Sequence, residues 1–337
     1  MNESRSALTV KGLRVGYETS RGTITAVDGI DFHVDKGELL ALVGESGCGK
    51  TTTAMALLRL LQEPGKVLGG EADLDGMDLL SLSGEELRAA RWTRIAFIPQ
   101  GAQNSLSPLL RVEAQIRDVM TSHSATRISK KASHERVEEL LESVGLPQRA
   151  ARMYPHELSG GMKQRVCIAM AIALNPQLII ADEPTSALDV IVQRVVAQTL
   201  TRIKETMQIS IIMIGHDLGL LAQLADRVAI MYAGKIVETG PVAQVFADPR
   251  HPYTRELMAS VPTLGELSQT DTRERGMPDQ RNLPVGCIYQ GQCRFVTDKC
   301  RHETPPERTA PDGQRWSCHY ERLAALPTEG LEVQHSE

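Results

Sequence analysis

The sequence predicts an α/β fold built round a central, largely parallel sheet. Short apolar runs, bounded by glycine or polar residues, recur between residues 39 and 214 and fit strands buried on both faces. Stretches with apolar residues three and four apart alternate with them and fit helices. Strands and helices in alternation define a parallel sheet with helical crossovers.

The elements follow in order. Leu8 to Val15 alternates apolar and polar residues, as a half-buried strand does. After the Gly37-Glu38 turn, Leu39–Val43 is continuously apolar and reads as a buried strand. A helix is expected over Thr51–Leu61, ending before Pro64-Gly65. Short strands and a helix are expected over 71–98, with Ile95–Ile98 a strand. Residues 112–146 read as mostly helical, because Val137, Leu140, Leu141 and Val144 fall at spacings of three and four. Gly160–Leu174 reads as a helix. Leu178–Ala181 and Ile209–Ile214 read as strands, with helix near 189–206 between them. After Gly240 periodicity weakens, and proline, arginine and cysteine become frequent. A domain boundary is expected near residue 240.

Composition bounds the function. The 337 residues are 42% hydrophobic and 23% charged, which excludes wholesale disorder, collagen and a coiled coil. Aromatics are only 4%, so the core must be mostly aliphatic. The net charge of −5 gives no bulk attraction for nucleic acid. The longest apolar run, Val166–Leu174, has nine residues, far short of the roughly 20 that cross a bilayer. Met1–Val10 lacks the apolar stretch of a signal peptide. A cytosolic chain is expected, with any membrane role exercised through a partner.

Gly44-Glu45-Ser46-Gly47-Cys48-Gly49-Lys50-Thr51 matches G-x-x-x-x-G-K-[ST] between a strand and a helix. The chemistry requires that composition. Backbone N–H groups must surround an anionic phosphate, and glycine lets the chain approach it. The helix N-terminus adds partial positive charge. Lys50 is expected to neutralise β- and γ-phosphate oxygens, and Thr51 to ligate Mg²⁺. Leu178–Glu183 ends an apolar strand in two carboxylates. Asp182 is expected to hold Mg²⁺ and Glu183 to polarise an attacking water.

Leu158-Ser159-Gly160-Gly161-Met162 narrows the reading. It resembles the LSGGQ signature of ATP-binding-cassette (ABC) ATPases, with Met162 in place of glutamine. Further motifs resemble that family's in order: Tyr17 where a ring stacks on adenine, Gln100 as the Q-loop glutamine, Ser186-Ala187-Leu188-Asp189 as the D-loop, and His216 as the switch histidine. The plainer alternatives are strand packing for Tyr17, a polar strand end for Gln100 and a structural histidine for His216. The resemblance implies a P-loop NTPase with a RecA-like core over 1–100 and 158–240. It implies an inserted helical subdomain over 101–157 and an extension over 241–337. It implies that Gly44 to Thr52 bind ATP, that Gln100 also touches Mg²⁺, and that Glu183, His216 and Gln100 serve hydrolysis. Ser159, Gly160 and Gly161 would bind the γ-phosphate held by a second cassette, with Asp189 between the two.

Pro249-Arg250-His251-Pro252-Tyr253-Thr254 resembles the His-Pro-Tyr motif of oligopeptide and dipeptide importer ATPases. That resemblance implies two membrane permeases, a distinct partner cassette and an extracytoplasmic binding protein. It implies peripheral placement on the cytoplasmic face of the plasma membrane and no nucleic-acid partner. An importer for nickel or a sugar is the alternative. A nucleic-acid-maintenance ATPase is less favoured, because the 58 residues from Gln100 to Leu158 leave no room for an inserted coiled coil.

Cys287, Cys293, Cys300 and Cys318 are spaced C-x5-C-x6-C-x17-C. In a reducing compartment clustered cysteines suit metal better than disulfides, but this spacing alone leaves a metal site and four free thiols both open. The family resemblance implies a [4Fe–4S] cluster here, with zinc the alternative. His319 is expected at the surface, with a spare metal ligand the alternative.

Overall fold

The computed structural model describes all residues except 1–5, 21, 125–127, 187, 260–277, 279, 282 and 322–337. The chain begins with β1 (Ser6–Thr19), β2 (Gly22–Asp35), β3 (Leu39–Val43), α1 (Lys50–Leu57), β4 (Gly65–Leu74), β5 (Met77–Asp78), α2 (Gly84–Ala90) and β6 (Ile95–Ile98). It continues through α3 (Val112–His123), α4 (Lys130–Ser143), α5 (Gly160–Ala171), β7 (Leu178–Asp182), α6 (Val190–Met207), β8 (Ser210–Gly215), α7 (Leu218–Leu224), β9 (Arg227–Tyr232) and β10 (Lys235–Pro241). The rest holds α8 (Val242–Ala247), α9 (Pro252–Ala259), α10 (Asp298–His302), β11 (Glu307–Thr309) and β12 (Arg315–Ser317).

Two sheets result. One is antiparallel, in the order β2-β1-β4-β5. The other runs β11-β12-β10-β9-β3-β8-β7-β6. Its members β9, β3, β8, β7 and β6 are mutually parallel, while β10, β12 and β11 add on antiparallel.

The continuous apolar runs have a two-faced cause. Side chains alternate across a strand. Leu39, Ala41 and Val43 of β3 join a core with Ile116, Leu140, Ile168 and Leu200 from α3 to α6. Leu40 and Leu42 face the other way, into a core with Val10, Phe32 and Leu74 of the antiparallel sheet. Ile179 and Ile211 take the first face, Ile180 and Ile212 the second. Both faces being covered, these strands are apolar except at their ends, where Ser210 opens β8 and Asp182 closes β7.

Several boundaries move from expectation. β1 continues to Thr19, beyond Val15, because it pairs with β2 on one side and β4 on the other. α1 stops at Leu57, ahead of Leu61, and Arg59 turns left-handed at φ 54°. α5 stops at Ala171, and Asn175 is left-handed at φ 53°. The 112–146 stretch is two helices, the second opened by Ser129, whose side chain accepts the Ala132 N–H. The change of composition near residue 240 falls inside β10, and β12 pairs with that strand at Glu238 and Thr239. Backbone pairing of this kind leaves no mark in composition.

Glu238 ties the extension to the sheet. Its buried carboxylate accepts the Arg250 N–H at 2.8 Å, the His251 N–H at 2.9 Å and the Gln314 amide at 2.6 Å. Among the described residues no helix is long and apolar enough to cross a membrane.

Candidate functional site: the phosphate loop and the acidic strand end

The loop between β3 and α1 packs closely at two of its glycines, Gly44 and Gly49. Gly49 has φ 108°, and a Cβ there would lie 2.5 Å from the Ala26 carbonyl. Lys50, buried, donates from Nζ to the Gly44 carbonyl at 2.7 Å and the Glu45 carbonyl at 2.9 Å. Its ammonium therefore stands inside the loop, where an anion placed among the amides would meet it. Cys48 is fully buried beneath, and burial raises its thiol pKa. Ser46 and Gly47 complete the loop. Thr52 follows Thr51 in α1, and its Oγ1 lies 3.4 Å from the Tyr17 hydroxyl.

Thr51 Oγ1 donates to Asp182 Oδ2 at 2.8 Å. Asp182 ends β7 and is buried. Burial raises its pKa first, the Glu183 charge adds to that, and the Thr51 hydrogen bond and Lys50 oppose it. A hydroxyl and a carboxylate side by side are oxygen donors that could hold a Mg²⁺ ion.

Glu183 follows at φ 44°, a left-handed backbone that costs a non-glycine residue about 1–2 kcal/mol. Its Oε2 accepts the Gln100 Nε2–H at 2.9 Å, and its Oε1 lies 3.1 Å from His216 Nδ1. A carboxylate acceptor at this distance pairs with an Nδ1–H tautomer of His216. Gln100, Glu183 and His216 each lie one or two residues past the carboxyl ends of β6, β7 and β8. That edge of a parallel sheet is where such folds bind ligands.

The structure thus brings Lys50, Thr51, Asp182, Glu183, Gln100 and His216 together, from strands far apart in sequence. Ser159 caps α5, its Oγ accepting the Met162 N–H at 3.3 Å. Gly160 and Gly161 open that helix, and a Cβ on Gly161 would lie 2.3 Å from Val192 Cγ1. Asp189 caps α6 by accepting the Val192 N–H at 3.0 Å. Ala187 lies outside the described residues. Tyr17 pairs with Ile24 and Gly65 in the antiparallel sheet, beside α1.

Cys287, Cys293, Cys300 and Cys318 all line one cavity in the extension, with His251, Tyr289 and His319. Burial pushes Cys287 up to about 11 and Cys293 up to about 12, with the neighbouring thiols adding to the shift. Among the described residues no group of three or more His, Cys, Asp or Glu is arranged to hold a single metal ion. His319 is buried rather than at the surface: Nε2 pairs with the Glu303 carbonyl at 3.0 Å, and Nδ1 has no partner among the described residues.

Sequence reasoning missed two contacts on the phosphate loop. The Tyr253 hydroxyl oxygen accepts the Glu45 N–H at 3.0 Å, and Gln280 donates to the Gly47 carbonyl at 2.9 Å. The His-Pro-Tyr motif was the available signal for the first. Gln280 stands in no motif.

A phosphate loop after one strand, an acidic pair at the end of another, and a glutamine and a histidine against the second acid define a P-loop nucleotide hydrolase. Comparison with known proteins agrees. The family described as ABC transporter matches residues 27–186, and the oligopeptide/dipeptide transporter C-terminal region matches 237–300. The chain is 42% identical to the oligopeptide transport ATP-binding protein OppD of Bacillus subtilis, over 97% of this chain and 93% of that protein. It is 38% identical to the dipeptide transport ATP-binding protein DppD of Escherichia coli, over 93% and 96%. A dimeric ATP-binding cassette solved in a post-hydrolysis state with ADP and Pi superposes with TM-score 0.62 at 28% identity, covering 70% of this chain and 98% of that one. The chain belongs to the ATP-binding subunits of ABC transporters, an ATPase family, in the branch that carries the oligopeptide/dipeptide C-terminal region.

Proposed function

We propose that the chain powers an importer for dipeptides or oligopeptides, working at the cytoplasmic face of the plasma membrane with two permeases, a related partner cassette and an extracytoplasmic binding protein. The observation that carries the ATPase chemistry is Glu183 held between Gln100 and His216, next to the Thr51–Asp182 pair. In this reading Lys50 and the loop amides of Gly44 to Thr52 bind the phosphates, and Tyr17 meets the adenine. Thr51, Asp182 and Gln100 serve Mg²⁺. Glu183 takes the proton of the attacking water, and His216 Nε2 steadies that water against the γ-phosphate. Ser159, Gly160 and Gly161 present helix N-terminal amides to the partner cassette's nucleotide, and Asp189 stands at the same junction. Residues 1–100 and 158–240 form the ATPase core, 101–157 the helical subdomain and 241–337 the extension. Support for peptide as cargo comes from the extension and from relatives described as oligopeptide and dipeptide transport proteins.

A [4Fe–4S] cluster at the four cysteines, with zinc the alternative, belongs to the same proposal; its support is that all four line one cavity. The group would staple a segment with little apolar surface of its own.

The deciding experiment reconstitutes the chain with its permeases and partner cassette in lipid vesicles, adds the binding protein, and measures ATP-driven uptake of short peptides, nickel and sugars. Uptake of peptides alone is the expected result. Uptake of nickel or sugar without peptide overturns the cargo assignment.

A further inference from the structure

The C-terminal extension reaches into the nucleotide site. Tyr253, buried in α9, places its hydroxyl oxygen 3.0 Å from the backbone nitrogen of Glu45, the second residue of the phosphate loop. That N–H belongs to the same peptide unit as the Gly44 carbonyl. In a trans peptide the two point in opposite directions. On the far side, the Gly44 carbonyl accepts Lys50 Nζ at 2.7 Å. One peptide plane is thus held at one end by Tyr253 and at the other by the phosphate-binding lysine.

Tyr253 is itself well supported. Its ring packs against Tyr232 of β9 at 4.7 Å between centroids and against Tyr289 at 5.5 Å. Its N–H donates to His251 Nδ1 at 3.1 Å, and the His251 N–H donates to Glu238 at 2.9 Å. Tyr289 donates its own hydroxyl to Glu256 at 2.6 Å. A side chain fixed on several sides positions its partner better than one on a mobile loop.

Resting on the ATP-site reading above, we propose that Tyr253 is a positioning residue for nucleotide binding: it locks the Gly44–Glu45 peptide, and with it the Lys50 ammonium, in the phosphate-binding arrangement. The extension then acts on the ATP site directly, through the loop. Without the phenol oxygen this peptide keeps only its Lys50 contact, and the loop is held less firmly before a nucleotide binds. Glu183, Gln100 and His216 are untouched, so the loss falls on binding and not on the chemical step.

The test is Tyr253→Phe, which keeps the ring and removes only the oxygen. Tyr289→Phe is the control, since it loses a hydroxyl bond in the same aromatic cluster but has no bond to the loop. Both are measured in the full chain by titration with MgADP, and in the assembled transporter by steady-state ATP hydrolysis. Tyr253→Phe is expected to raise the MgADP Kd and the KM for ATP roughly five-fold, the equivalent of about 1 kcal/mol for one hydrogen bond, with kcat within about two-fold. Tyr289→Phe is expected to shift both constants by less than about two-fold. Unchanged binding in Tyr253→Phe overturns the proposal. An equal rise in both variants also overturns it, because the effect then belongs to the cluster's packing. Failure of the wild type to bind MgADP would instead refute the ATP-site reading, so the two are separated within one experiment.

Discussion

Replacing Glu183 with glutamine isolates the chemical step. The side chain keeps its shape and loses its charge and its ability to take a proton. In the fold its two oxygens each face a donor, Gln100 Nε2 at 2.9 Å and His216 Nδ1 at 3.1 Å. A glutamine keeps one acceptor and turns an NH₂ towards the other neighbour. Gln100 can answer by rotating its amide, and the His216 side chain, 71% exposed, can turn to water. No buried donor is orphaned, so the stability cost should stay below about 1 kcal/mol. Loss of a general base removes about 10²–10⁴-fold in rate, or about 2.7–5.5 kcal/mol of barrier. Phosphate release by the assembled transporter should therefore fall at least about 100-fold, while MgATP still binds and the closed cassette dimer accumulates. Turnover within ten-fold of the wild type would refute the role given to Glu183.

Anaerobically purified protein should be brown and carry about four iron and four sulfide per chain. Changing any of Cys287, Cys293, Cys300 or Cys318 to serine should lower its melting temperature before it alters ATP hydrolysis; colourless protein with one zinc selects the zinc site, and metal-free protein with four titratable thiols refutes both. His251 is buried, and burial lowers its pKa to about 3, so it is neutral in the fold. The unfolded chain takes up its proton near pH 6.5, so this stability is present above that pH and is lost as pH falls from 6.5 towards 3, by up to about 1.4 kcal/mol per unit. Denaturant midpoints measured from pH 7 to 5 should fall less steeply in His251→Asn, which keeps an acceptor for the Tyr253 N–H; equal slopes would show that His251 does not carry the effect.

Much of this was legible in the residues. Leu39–Val43 was readable as a strand because a parallel strand buried on both faces is apolar at every position, and Gly44–Thr51 because the loop's composition is dictated by one task. The ends of α1 and α5 were not: the helices stop at Leu57 and Ala171, short of the expected Leu61 and Leu174, ahead of left-handed residues at Arg59 and Asn175. His319 was misplaced as well: its polarity pointed outward, but the packing of the extension buries it.

The sequence by itself determined the α/β layering, the phosphate loop and the identity of the acidic pair, because each depends on residue type at fixed local spacing. Only the tertiary structure decided which of those residues meet. Gln100 reaches Glu183 across 83 positions, Thr51 reaches Asp182 across 131, and Tyr253 reaches Glu45 across 208. Those encounters arise from strand order in the sheet, which sets β7 between β6 and β8 and carries β10 and the extension back beside the phosphate loop. Strand order is fixed by the mutual burial of two faces and by backbone pairing, and neither is written in any short stretch of chain.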